Sequence, residues 1–108
     1  MHFQPSELVE LSFQNSKHLG EYIGTGLRIH NNANTNCFLF SIHTSKGSVE
    51  HSIPENEILT KLKNKDISEP TSRTINKYKK QLKQLQYGTI SVGGILEKLG
   101  KINQNIHD

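Results

Sequence analysis

Alternation of apolar and polar positions dominates the first half of the chain. The alternating positions are, in order, Val9, Leu11 and Phe13, then Ile23, Thr25, Leu27 and Ile29, then Val49, His51 and Ile53. A further segment, Cys37 to His43, is apolar on both faces at its start, which is typical of a central strand. The pattern predicts four strands, separated by polar turns at 15–17, 31–36 and 44–47.

Two features interrupt or end this strand pattern. The segment Gly24-Thr25-Gly26 lies inside the second strand, where glycines are typical of a bulge or a bend. Pro54 ends the predicted sheet because proline cannot donate to a strand ladder, and a helical turn with Ile58, Leu59 and Leu62 follows. Four short strands, short loops and a helical turn resemble the small SH3-like and Tudor-like barrels. The resemblance implies that the sheet closes into a barrel.

The second half of the chain changes to a helical period. After a polar connector at 64–71, which includes Pro70, a helix is predicted from Ser72 to about Tyr87-Gly88, with Thr71 or Ser72 as its N-cap. Its apolar face consists of Ile75, Tyr78, Leu82 and Leu85. A second helix over about 91–105 would present Ile95, Leu99, Ile102 and Ile106 on one face. The competing interpretation is a short strand at 89–92 followed by a helix from 95.

These patterns predict a single α+β domain over 1–108. A small twisted antiparallel sheet, with an SH3-like barrel as its closed form, precedes a C-terminal helical hairpin. Hydrophobic residues are only 32% of the 108 residues, which suffices for one thin sheet and two amphipathic helices. The apolar face of the second helix therefore predicts burial against a second copy, as a homodimer, or against a partner protein.

Charge divides the chain in the same place. The β-rich segment 1–54 is acidic and the helical segment 55–108 is basic: residues 1–58 hold three basic and six acidic residues, net −3, whereas residues 59–108 hold ten and four, net +6. Such asymmetry indicates a polyanionic or acidic partner. The overall charge of +3 is the sum of these opposite halves.

A run of basic residues gives the strongest functional signal. It comprises Lys61, Lys63, Lys65, Arg73, Lys77, Lys79, Lys80 and Lys83. Lysine ammonium groups along one helix face suit phosphate contacts, which release counterions. A solvated helix face and contact with an acidic protein surface are the alternatives. The segment Ser72 to Tyr78, followed by the β-like residues 89–92, also resembles a winged-helix recognition helix and its wing.

The sequence gives little support for a reactive thiol, a metal site or a phosphate-binding loop. Cys37 lies in an apolar run and is interpreted as a small buried residue, and the histidine spacing predicts no metal site. The glycines form no phosphate-binding loop, and no cofactor is expected. A pair of histidines together with Lys46 could cleave RNA without a metal by acid–base chemistry, with His43 and His51 as the candidate histidines.

The sequence therefore predicts a non-enzymatic protein that binds nucleic acid or an acidic protein surface through the basic run. A small phage-type or bacterial accessory protein, which inhibits or adapts a larger complex, is the alternative, and a small metal-independent RNase is the second alternative. No apolar run is long enough for a membrane span and no secretory signal is evident, so a cytoplasmic location is expected.

Overall fold

The computed structural model describes residues 3–44 and 47–85, in two compact units, Met1–Glu69 and Pro70–Asp108. The strands of the first unit are β1 (Leu8–Phe13), β2 (Ser16–His30), β3 (Ala33–Thr44), β4 (Gly47–Pro54) and β5 (Ile67–Ser68). A 3-10 helix (Glu55–Glu57) and the helix α1 (Ile58–Lys63) connect β4 to β5. The second unit contributes the helix α2 (Ser72–Leu85). The chain is thus α+β, as predicted.

The five strands form one antiparallel sheet in the order β4-β3-β2-β1-β5. The predicted central position of the Cys37–His43 segment is confirmed, because β3 lies between β2 and β4. The expected SH3-like barrel is wrong, because β4 and β5 are opposite edges of an open sheet. After Pro54 the chain becomes helical and returns beside β1 as a strand of two residues, and β4 does not close against β5.

The first two hairpins, β1–β2 and β2–β3, close through turns that are shorter than the sequence pattern predicts. Gln14 and Asn15 both have positive φ, as do Asn31 and Asn32, whose φ angles are 51° and 64°. Two such residues define the type I′ turn, which matches the twist of the flanking strands. The predicted polar loop 31–36 is therefore a two-residue turn, and residues 33–36 belong to β3. The third predicted turn includes residues 45 and 46, outside the described residues.

A bulge bends β2 where the glycines predict it. The register against β3 shifts between Tyr22 and Gly24, and Gly24 has a φ of 127°, which side chains rarely adopt. Beyond this bulge β2 pairs only with β3, because the ladder between β1 and β2 stops at the pair of Leu8 with Glu21. The β2–β3 hairpin therefore extends past β1 as a ribbon.

The main core lies on the face of the sheet that carries Val9 and Leu11. It is completed by residues from the other four strands and from α1, namely Tyr22, Phe40, Ile42, Ile53, Ile58 and Ile67. Phe3, from the segment before β1, packs against this core and is partly buried. The opposite face also holds buried residues, namely Leu8, Leu19, Cys37 and Leu39. The sheet therefore buries apolar side chains on both faces.

The distal half of β2 does not follow the half-buried pattern that its alternation predicts. Ile23, Leu27 and Ile29 are 51%, 60% and 75% exposed. The register places Leu27 opposite Asn36 and Ile29 opposite Asn34, on the ribbon beyond the core. The apolar alternation therefore identifies the strand correctly but does not identify a buried face.

Helix α1 ends in a local motif that the sequence analysis missed. Lys65 N–H donates to the Leu62 carbonyl and Asp66 N–H to the Lys61 carbonyl, which is the hydrogen-bond pattern of a Schellman motif. Lys65 takes the left-handed position, with a φ of 60°. The turn directs the chain into β5, where Ile67 pairs with Leu11. The predicted polar connector 64–71 thus contains a strand.

Helix α2 begins at Ser72, as predicted. Its predicted C-terminal end at Tyr87-Gly88, the second helix, the alternative strand at 89–92 and the proposed interface residues Ile95, Leu99, Ile102 and Ile106 lie outside the described residues. Within the described part of the chain, no helix is long and apolar enough to cross a membrane.

Candidate nucleic-acid interface

Thr71 begins α2 as its N-cap. The Thr74 N–H donates to Thr71 Oγ1 at 3.2 Å, and the Ile75 N–H donates to the Thr71 carbonyl at 2.9 Å. A threonine side chain satisfies one of the free N–H groups at a helix start and so fixes where the helix begins. Between the two N-caps that the sequence allows, the structure uses Thr71.

The two sides of α2 differ in burial and in charge. Ile75 is fully buried and Tyr78 is buried, as the helical period predicts. Arg73, Lys77 and Lys80 are exposed. They recur at spacings of four and three residues, which places them on one face of the helix, and the exposed Asn76 adjoins them. This set of four residues is called the basic face below.

No acidic residue occurs within Ser72–Leu85, so the helix itself offers no carboxylate to neutralise the basic face. Lys79 is only partly exposed, and Lys83 lies on α2 without its side chain being described. Of the five predicted basic contacts on this helix, Arg73, Lys77 and Lys80 are therefore the ones placed fully at the surface. The helix holds their positive charges at fixed spacing, which suits a partner whose negative charges are also regularly spaced.

The other three predicted lysines lie in the first unit, at the end of α1. Lys63 and Lys65 are exposed, whereas Lys61 is partly exposed with its Nζ 4.0 Å from Asp66 Oδ2. Sequence reasoning missed Lys17, whose Nζ donates to the Lys65 carbonyl from β2. The two residues are 48 positions apart, and no local pattern indicates that they meet. Lys61, Lys63 and Lys65 are called the α1 cluster below. This cluster and the basic face of α2 belong to different units.

The candidate RNase residues are only partly described. His51 lies on the core face, half-buried, with its ring centroid 5.3 Å from that of Phe13 in an edge-on arrangement. His18 packs on the same ring at 5.6 Å, and its Nε2 is 2.9 Å from Ser16 Oγ. The His43 side chain and Lys46 lie outside the described residues, so their pairing with His51 stays a prediction.

Burial lowers the pKa of His51, and the nearby charges of Lys61 and His30 lower it further. Burial also lowers the pKa of His18. Both rings therefore stay neutral down to a lower pH than a free histidine does. We interpret the two neutral histidine rings that pack against Phe13 as part of the apolar surface of the core.

Arg28, the arginine of the acidic half, is already paired. Arg28 Nε and Nη2 donate to the two oxygens of Glu50 at 2.7 and 2.8 Å, and Nη1 donates to the Leu27 carbonyl at 2.8 Å. Beside this pair, His30 Nε2 lies 2.9 Å from Ser52 Oγ. This ion pair raises the pKa of Arg28 and lowers the pKa of Glu50. Arg28 is thus engaged within the fold rather than presented to a polyanion.

Metal and thiol chemistry find no support in the described part of the chain. No three His, Cys, Asp or Glu side chains converge there in a way that could hold a metal ion. Cys37 is fully buried, as predicted, and burial raises the pKa of its thiol, which favours the unreactive protonated form.

The chain matches no protein-family model, no curated protein and no solved structure. Its function is therefore inferred from its own residues.

Proposed function

We propose that the protein binds nucleic acid through the basic face of α2. One observation carries the proposal: Arg73, Lys77 and Lys80 are exposed together on a helix that contains no acidic residue. The buried Ile75 and Tyr78 fix the opposite side of the helix, so the basic face cannot rotate inward without exposing apolar surface. Lysine ammonium groups contact phosphates as point charges, which favours backbone contact over base reading.

Arg73 and Asn76 are the two side chains of the basic face that can also form bidentate contacts with base edges. Two such residues within one helical turn are few for a sequence-specific protein. Binding is therefore expected to depend on charge and to show little preference for sequence.

Fluorescence anisotropy with labelled duplex and single-stranded oligonucleotides tests this proposal. The affinity should fall steeply with salt, and Lys77→Glu combined with Lys80→Glu should abolish binding. Lys77→Gln combined with Lys80→Gln should reduce the slope of log K against log salt by about 1.8, since each phosphate contact contributes about 0.9.

The matched control is the pair Lys77→Arg and Lys80→Arg, which keeps both charges and should keep the affinity. The lysines of the α1 cluster are tested separately with Lys63→Gln and Lys65→Gln, because they lie in the other unit. Undetectable affinity for both duplex and single strands at low salt would overturn the proposal.

A second candidate is an accessory role through contact with a partner protein. The observation that favours it is the exposure of Leu27 and Ile29, which the register places on one face of the ribbon beyond the core. Grouped apolar side chains at the surface are typical of protein interaction sites. Under this candidate, a specific protein is retained from nuclease-treated lysate, is lost with Leu27→Thr and Ile29→Thr, and is unaffected by Lys77→Glu.

A further inference from the structure

A cavity of about 390 Å³ opens beside the aromatic part of the core, within the first unit. Its size falls in the range of small-molecule sites, which is about 300–1,000 Å³. Three aromatic residues, Phe3, Tyr22 and Phe38, form much of its lining. Ile58, Leu59 and Thr25 complete the lining apart from one carboxylate.

The three rings form one cluster with different orientations. The ring centroid of Phe3 lies 5.4 Å from that of Tyr22 and 5.3 Å from that of Phe38, with interplanar angles of 36° and 75°. Tyr22 and Phe38 are 6.2 Å apart at 54°. The rings are therefore tilted against one another rather than stacked in parallel. The face of an aromatic ring carries negative electrostatic potential and attracts cations.

Among the described residues, Glu55 supplies the only charge in the lining of this cavity. It lies on the 3-10 helix, is exposed, and forms no ion pair with any described residue. No basic side chain lines the cavity within the described part of the chain. The cavity therefore combines an apolar aromatic wall with one uncompensated negative charge.

We propose that this cavity binds an alkylammonium group, meaning an amine or quaternary ammonium centre with short alkyl substituents. The alkyl groups would pack on Phe3, Tyr22 and Phe38, and the positive charge would face Glu55. An apolar ligand without charge would leave Glu55 partly desolvated and unpaired, which costs free energy. An anion would be repelled by the carboxylate of Glu55. The complementary ligand is thus both apolar and cationic, and it differs in charge from the partner of α2.

Choline and its uncharged isostere 3,3-dimethyl-1-butanol are the probes that separate charge from shape. Both are titrated into the full chain at low salt, and the amide NMR signals are followed. Choline should shift the signals of residues around Tyr22, Phe38 and Glu55, with an affinity at least about fivefold above that of the isostere. The same spectra report whether each variant remains folded.

Glu55→Gln keeps the size of the side chain and removes its charge, and it should weaken choline binding about fivefold. The matched control is Glu57→Gln, because Glu57 lies on the same 3-10 helix but does not line the cavity. This control should leave the affinity unchanged. Phe38→Leu, which removes one ring, should weaken binding about tenfold in a chain that remains folded.

Three results would overturn the proposal. One is equal affinity for choline and for the isostere, and another is equal loss of affinity in Glu55→Gln and Glu57→Gln. The third is the absence of shifts at these residues at roughly 50 mM choline, well above the millimolar affinity that a few contacts provide.

Discussion

Arg28 and Glu50 form a two-point ion pair although a whole strand lies between them. Their partners on β3 are Thr35 and Ser41, which are six residues apart and would be separated by about 20 Å along a flat strand. The guanidinium nevertheless reaches both carboxylate oxygens, at 2.7 and 2.8 Å. The β2–β3 ribbon is therefore strongly coiled, and it curls over the face of the sheet that carries Arg28.

The ion pair should make stability depend on pH in the acid range. The pKa of Glu50 lies below its ordinary value of 4.5, mainly because of its hydrogen bonds to Arg28. As the pH falls, the unfolded chain therefore takes up the Glu50 proton before the folded chain does. The ion pair contributes fully to the free energy of unfolding above pH 4.5, and this contribution is lost as the pH falls through the lower pKa of the folded state. Urea unfolding at about pH 7 and about pH 3 measures the loss, which should shrink in Glu50→Gln.

Glu57→Gln is the control for this measurement, because Glu57 is exposed and forms no ion pair with the described residues. The contribution of the Arg28–Glu50 pair should also decrease at about 1 M salt, where exposed charges are screened over about 3 Å. A pH dependence that is identical in Glu50→Gln and in the unmodified chain would contradict this prediction.

Two glycines of β2 should resist substitution for different reasons. A Cβ on Gly20 would lie 2.7 Å from Leu11 Cδ2, so Gly20→Ala should destabilise the fold by about 1–3 kcal/mol through overpacking. A Cβ on Gly24 would meet nothing within 4 Å, but the φ of 127° makes Gly24→Ala cost about 1–3 kcal/mol through backbone strain. Chemical denaturation of each variant measures these losses.

Leu11→Ala distinguishes the two mechanisms. Combined with Gly20→Ala, it should give a total loss smaller than the sum of the single losses by about 0.5–3 kcal/mol, because the clash disappears. Combined with Gly24→Ala, the losses should add to within about 0.5 kcal/mol. Additivity in both double variants would show that Leu11 does not limit the space at Gly20.

The same substitution at two leucines of the sheet should have very different effects. Leu39 is 7% exposed and Leu27 is 60% exposed. Leu39→Ala should cost about 2–5 kcal/mol of unfolding free energy, and Leu27→Ala under about 0.5 kcal/mol. Urea midpoints of the two variants measure the contrast, and equal losses would show that the ribbon is covered.

Lys65→Gly should stabilise the first unit even though it removes a basic side chain. A non-glycine residue in the left-handed region costs about 1–2 kcal/mol, and glycine loses about 0.4–1 kcal/mol more on folding, so the net gain is about 0.5–1 kcal/mol. Lys63→Gly, on the last turn of α1, is the control and should destabilise by up to about 1 kcal/mol. Thermal unfolding compares them, and a loss of stability in Lys65→Gly would contradict the prediction.

His51 should make the fold weaker in mild acid. Its pKa is lowered from the ordinary 6.5, by burial first and by Lys61 and His30 second. The unfolded chain therefore takes up the proton first, and stability declines as the pH falls below about 6.5. Melting temperatures at about pH 7.5 and about pH 5.5 should differ less in His51→Gln than in the unmodified chain, and an unchanged difference would show that another group is responsible.

Local signals in the sequence predicted most of the elements. Two-residue alternation identified β1, β2 and β4, and an apolar run identified β3. The glycines identified the bulge at Gly24, and the polar cap and helical period identified the start of α2 and its basic face. These signals succeed because strand periodicity, turn conformation and capping depend on residues that are close in the chain. The same signals placed Arg73, Lys77 and Lys80 on one exposed face.

Apart from the local turn at Lys65, the main missed features join residues that are distant in the chain. The pairing of Ile67 with Leu11, the contact of Lys17 with Lys65, and the ion pair of Arg28 with Glu50 leave no trace in any local period. The barrel was predicted because strand patterns do not specify which edges meet. The cavity beside Phe3 arises in the same way, from residues of four separate segments.

The sequence by itself determined the order of the first four strands and of the two helices, the bulge, and the separation of an acidic strand-rich half from a basic helical half. Only the tertiary structure decided that the sheet stays open, that the ribbon curls toward β4, and that Ile23, Leu27 and Ile29 stay exposed. The reason is physical: alternation fixes the side of the strand to which a residue points, whereas burial depends on which distant segment covers that side.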